Sequence, residues 1–80
     1  MSTSLIKERT YFNKLLYERN KNVRDRFQKY YADNYEPKYR LVAEAMGLGY
    51  INFRRFATNR HDYAEDSLER VENFLDEQGY

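Results

Sequence analysis

This 80-residue sequence predicts an all-α fold, a compact bundle of four to five helices containing a helix-turn-helix. Three observations lead there. Apolar residues recur at intervals of three and four and nowhere alternate for the length of a strand. The single proline and the three glycines fall where helices should start or stop. Length excludes two domains: at this size roughly 60% of the unfolded surface can be buried, so one modest core must hold residues 1–80 together. Leu, Ile, Val and Phe number only 17 of 80, so tyrosine, present nine times, must supply part of that core.

The elements follow in order. From Leu5 to Arg19, Leu5, Phe12, Leu15 and Leu16 can form a stripe, with Ser2, Thr3 or Ser4 as a cap. Asn20-Lys21-Asn22 reads as a break, after which Val23, Phe27 and Tyr30 or Tyr31 mark a second helix; one long helix fits the same residues. Residues 32–37 read as a loop. Pro37 disfavours a helical Glu36 and predicts an extended conformation there, while suiting the first turn of a new helix. Over 38–46, Tyr39, Val42, Ala43 and Met46 share a side, and Gly47 supplies a left-handed end. The segment 50–58 carries Phe53 and Phe56, and 58–62 is the next loop. The last helix, about 64–77, has Leu68, Val71, Phe74 and Leu75 as its stripe. Asp62 with Glu65, or Asp66 with Glu69, fits a capping box, and Gly79 ends it.

Composition removes several function classes. Without cysteine there is no disulfide or thiol chemistry, and His61 alone cannot make a His/Cys zinc site. His61 also lacks acidic and nucleophilic partners at motif spacing, so the chain reads as no enzyme, and no cofactor is expected. Gly47-Leu48-Gly49 lacks the remaining residues of a phosphate-binding loop. Charges interrupt the N-terminal stretch where a signal peptide needs its apolar run, and no apolar run is long enough for a membrane span; a cytoplasmic protein is expected.

The formal charge of +1 hides an asymmetry. Residues 1–60 hold 13 basic and 6 acidic groups, whereas residues 61–80 hold one basic and seven acidic groups. A net +7 body is thus cancelled by a net −6 tail, and the acidic last helix is expected to face away from any polyanion.

The segments 38–46 and 50–58, joined through Gly47-Leu48-Gly49, have the length and punctuation of a helix-turn-helix. Ala43, four before Gly47, is small where a second helix crosses closely. Val42, Met46, Leu48, Phe53 and Phe56 are apolar where the two helices face each other and the core. The stretch Leu41-Val-Ala-Glu-Ala-Met-Gly-Leu-Gly-Tyr-Ile-Asn-Phe-Arg-Arg-Phe resembles the helix-turn-helix of the lambda repressor and Cro family of DNA-binding domains. The resemblance covers residues 23–78, with Asn59-Arg60 in the loop after the recognition helix and residues 67–75 as the following helix. Residues 1–22 lie outside it as an extra N-terminal helix. Pro37-Lys38 stands where a Ser or Thr cap is usual, and Tyr50-Ile51 replaces the short polar residues that often begin the recognition helix.

The resemblance implies a small transcriptional repressor that binds duplex DNA and acts by occluding its site, with helix 50–58 in the major groove. Gly49, Tyr50, Ile51, Arg54, Arg55 and Thr58 then form the DNA-facing side. Arg54 and Arg55 are the base readers, since a guanidinium can donate two bonds to guanine. Ile51 suits a thymine methyl, and Lys38, Arg40 and Arg60 suit flanking phosphates. A homodimer on a two-fold site is the usual arrangement. The competing reading is a protein-interaction module, for instance a small phage or mobile-element antagonist, that uses the same scaffold and the Tyr50-Ile51 pair to block another protein. Leu5, Phe12, Leu15 and Leu16 fit either packing on the core or association of two chains.

Overall fold

A computed structural model describes the backbone of residues 2–80 and the side chains of residues 13–80. Among the described residues there are four helices and no strand: α1 Ser2–Asp33, α2 Tyr39–Met46, α3 Tyr50–Ala57 and α4 Glu65–Glu77. No helix among them is long and apolar enough to cross a membrane.

Of the two readings of residues 20–22, a break or one long helix, the second is the one observed: α1 runs through them for 32 residues. At the usual rise this is a rod of about 48 Å. The reason lies in Asn20. An Asn inside a helix ordinarily competes with its own backbone, but here its side chain is completely buried and bonds to a distant part of the chain. Its amide nitrogen donates to the carbonyls of Leu16 and Tyr63, each at 3.0 Å, and its oxygen accepts from the Tyr63 N–H at 2.8 Å. With those groups satisfied, nothing favours a turn.

The buried side of α1 is the series Asn20, Val23, Phe27 and Tyr30, with Leu16 and Tyr31 partly covered. Leu15, expected in that stripe, is 43% exposed; Leu5 and Phe12 lie outside the described side chains. Against this side pack Val42, Ala43 and Met46 of α2, Phe53, Phe56 and Ala57 of α3, and Leu68, Val71 and Leu75 of α4, all buried. Phe74 and Leu48 are half-buried against the same core. Phe27 is its aromatic centre, meeting the Phe53 ring edge-on at 5.0 Å between centroids. Tyrosine does fill the core: Tyr30 packs edge-on against Phe74, and Tyr63 stacks on Phe56 at 4.8 Å. Such pairs add about 0.5–1.5 kcal/mol each beyond area burial.

All four helices end in the same closure. The N–H two residues past the last turn reaches back to the carbonyl five positions earlier: Glu36 to Tyr31, Leu48 to Ala43, Arg60 to Arg55 and Tyr80 to Leu75. The residue just before each donor is left-handed, namely Tyr35, Gly47, Asn59 and Gly79. Glu36 is left-handed as well, at φ 52°, and not extended as Pro37 led one to expect. A 2.8 Å bond to Tyr31 holds it there, and a sharp reversal is what returns the chain from α1 to α2.

The start of α4 also differs from expectation. Neither capping box forms: the cap position is Ala64, with no side-chain bond. Asp62 instead accepts from Arg24 at 2.7 Å.

Candidate functional site

The α2 and α3 helices, eight residues each, are joined by three residues. Gly47 sits at φ 72°, its N–H bonded to Glu44 and the following Leu48 N–H to Ala43, so the chain leaves α2 and enters α3 almost at once. Gly49 is extended at the start of α3. With Phe53, Phe56 and Ala57 committed to the core, the rest of α3 is turned outward.

Three side chains of α1, spaced four apart, fix where α3 ends. Arg24 donates from Nε to the Phe56 carbonyl at 2.7 Å and from a terminal nitrogen to His61 and Asp62; its guanidinium also lies 4.7 Å from the centre of the Phe56 ring. Gln28 donates to the Ala57 carbonyl at 2.7 Å, and Asn20 holds both the N–H and the carbonyl of Tyr63. The last carbonyls of α3 thus receive a cation and an amide, which suits the negative end of a helix. The orientation of α3 is therefore fixed by polar bonds as well as by its two phenylalanines.

On the outward side, Tyr50, Ile51, Arg54, Arg55, Thr58 and Arg60 line one shallow groove. A second hollow, lined by Arg40, Gly49, Tyr50 and Ile51, adjoins it, and a third joins Lys38 and Arg40 to Tyr50. The nine residues expected from the sequence are therefore neighbours on one continuous surface. Arg40 lies with its guanidinium 5.1 Å from the centre of the half-buried Tyr50 ring, within reach of a cation–π attraction. Ile51 is 67% exposed. Thr58 is exposed but directs its hydroxyl inward to the α3 backbone, donating to the Arg54 carbonyl at 2.8 Å, so what it turns outward is mainly its methyl group.

The ion pairs divide the basic residues into two classes. Arg19 pairs with Glu72 and Glu65, Arg24 with Asp62 and Arg26 with Asp76. Hydrogen bonding to Glu72 raises the pKa of Arg19 above its ordinary value. Among the described residues, Lys38, Arg40, Arg54, Arg55 and Arg60 have no carboxylate within 4.0 Å. The acidic helix α4 pairs with Arg19 and Arg26 of α1, and the basic residues of the α2–α3 surface keep no such partner among the described residues. Glu44 and Glu36 are the carboxylates that border this surface.

Sequence reading missed Asn52, which is exposed and lines the groove beside Gly49 and Ile51. Helical period did not single it out, because position 52 lies four before the buried Phe56 and so at the edge of the buried side, not opposite it. It also missed the roles of Asn20, Arg24 and Gln28, whose partners lie 29 to 43 residues away. His61, read as a loop residue, is exposed in the 58–64 segment with its ring edge-on to Tyr63.

Comparison of the chain with protein-family models, with curated proteins and with solved structures finds no match.

Proposed function

We propose that this chain binds duplex DNA through α2 and α3 acting as a helix-turn-helix, and represses transcription by occupying its site. The observation that carries the reading is the division of the charges. Five basic residues, Lys38, Arg40, Arg54, Arg55 and Arg60, share one surface without an acidic partner, while three arginines of α1 are neutralised. Unpaired guanidinium groups on the outward side of α3 and beside it suit a partner that supplies many negative charges and presents base edges in a groove. On this reading α3 lies in the major groove, Arg54, Arg55 and Asn52 address base edges, Ile51 meets a thymine methyl, and Lys38, Arg40 and Arg60 hold phosphates. The chain performs no reaction and needs no cofactor. A homodimer would place two such helices about one turn of DNA apart.

The test is selection of bound sequences from a random duplex pool, with molecular mass measured in parallel. A preferred sequence is expected, bound with steep salt dependence. Replacing Arg54 and Arg55 by alanine should remove the preference, at about 1–3 kcal/mol per guanine read. Binding with no sequence preference, or none at low salt, would overturn the reading.

One observation favours a second reading. Ile51, at 67% exposure, and Leu41, at 60%, are large apolar residues at opposite ends of a hollow surface centred on Tyr50. A chain that docks a protein there and blocks it needs such residues at the centre of its interface. It predicts that Tyr50→Ala and Ile51→Ala abolish a protein complex while Arg54→Ala leaves it largely intact.

A further inference from the structure

We infer that the DNA-binding surface does not end with α3 but continues onto α1, where Lys14 and Lys21 hold the phosphate backbone. This rests on the duplex-binding reading above. Thr58, at the end of α3, belongs to two hollows: the groove of Arg54, Arg55 and Arg60, and a second one lined by Tyr17, Lys21, Asp25 and Gln28 of α1 with Ala57 and Asn59. The two surfaces are therefore continuous across Thr58.

Positions 14, 17, 21, 25 and 28 fall on one side of α1 by helical period, so Lys14 extends the line on which Tyr17 and Lys21 stand. Both lysines and Tyr17 are exposed. This side of α1 differs from the one facing α4. Arg19 and Arg26 point at α4 and are paired there, and Arg24 is buried beneath the end of α3. Lys14 and Lys21 have no carboxylate within 4.0 Å among the described residues. Seven residues of helix separate them by about 10.5 Å, the rise of roughly three base pairs. A lysine is a flexible point charge and fits phosphate better than a base edge. A phosphate strand leaving the α3 groove past Thr58 would run along this line. Asp25 is the one acidic residue in the hollow, and it should weaken the attraction.

The experiment uses the full chain on the duplex it selects best, with affinity measured from low to moderate salt. Replacing Lys14 and Lys21 together by glutamine should lower affinity by a similar factor on every duplex. The plot of log affinity against log salt should become shallower by about 0.9 for each phosphate that is no longer neutralised, and the protected stretch in a backbone-cleavage footprint should shorten at one end. Asp25→Asn should act in the opposite sense and raise affinity. All three residues are exposed, and an unchanged melting temperature checks that the variants fold. If the wild-type chain selects a sequence but the double variant keeps its affinity, slope and footprint, the α1 surface is refuted and the α3 reading stands. A loss confined to one sequence would refute phosphate binding here, since only base reading is selective. A wild-type chain that binds no duplex refutes both.

Discussion

At the scale of single residues, one buried polar atom stands apart. The Tyr63 hydroxyl is buried and has no hydrogen-bond partner, although its ring stacks on Phe56 and its backbone N–H and carbonyl are held by Asn20. Leaving a hydroxyl unpaired in a core costs about 1–3 kcal/mol. Replacement by phenylalanine keeps the ring and removes the orphan atom. Tyr63→Phe is therefore expected to be more stable by about 1 kcal/mol, a rise of about 4–8 °C in melting temperature for a domain of this size. Burial also pushes the Tyr63 pKa up to about 12 from 10.0. The folded chain thus holds that proton more tightly than the unfolded chain does. Its contribution is complete below pH 10 and is lost as the pH rises through 12, by up to about 1.4 kcal/mol per pH unit. Wild-type stability should fall over that window. The fall should be shallower in Tyr63→Phe, though not absent, because burial and then hydrogen bonding to Tyr31 raise the pKa of Tyr39 as well. Equal alkaline slopes in the two proteins would show that the hydroxyl is solvated.

At the scale of elements, four helices share one type of ending but fill its left-handed position differently. Gly47 and Gly79 adopt it freely, whereas Tyr35 and Asn59 carry side chains there. Tyr35 is 96% exposed at φ 62°, so its ring gains nothing from the core while its backbone bears the cost of the left-handed region. Tyr35→Gly should stabilise the chain by about 0.5–1 kcal/mol, the net of relieved strain and a freer unfolded state. Gly47→Ala should do the reverse, by about 1–2 kcal/mol, because φ 72° is left-handed, while the Arg70 guanidinium 2.7 Å from the new Cβ is the end of an exposed flexible side chain and can swing aside. Chemical denaturation of the two variants measures both. A stabilised Gly47→Ala would mean that the α2–α3 turn is not held as described. Which helices exist was legible because their signals are local: the spacing of Val42, Ala43 and Met46, of Phe53 and Phe56, and of Leu68, Val71 and Leu75 already placed them in one core. The choice between a break at residues 20–22 and one long α1 was not legible. Asn20 favours a helix interior only when Tyr63 supplies its partners, and nothing in the neighbouring residues announces a bond across 43 positions. The cap of α4 was misread for the same reason, since Asp62 is drawn off by Arg24 from 38 residues away. The outward residues of the candidate site could be read, because the two phenylalanines fix which side of α3 is free; what holds α3 in its orientation could not.

At the scale of the whole molecule, the near-neutral total conceals two charge systems with different tasks. Glu65, Glu72 and Asp76 of α4 meet Arg19 and Arg26 of α1, binding the long helix to the last one. Glu65 and Asp76 are mostly exposed, and exposed pairs are worth only about 0.2–1 kcal/mol each. The packing of α1 on α4 accordingly depends on Val23, Phe27, Tyr30, Leu68, Val71 and Leu75, with the ion pairs as a modest addition. Neutralising the three carboxylates together, as Glu65→Gln, Glu72→Gln and Asp76→Asn, raises the formal charge by three from +1. The expected loss is about 1–2 kcal/mol at low salt. The gap to wild type should narrow towards 1 M salt, where the screening length falls to about 3 Å. A loss of several kcal/mol that persists in high salt would mean that these pairs hold the fold. The same variant separates the two charge systems. It frees Arg19 and Arg26 without touching Lys38, Arg40, Arg54, Arg55 or Arg60, so the salt dependence of duplex binding should keep its slope. A steeper slope would bring Arg19 and Arg26 within the footprint and overturn the division of the basic residues between holding the fold and binding a partner.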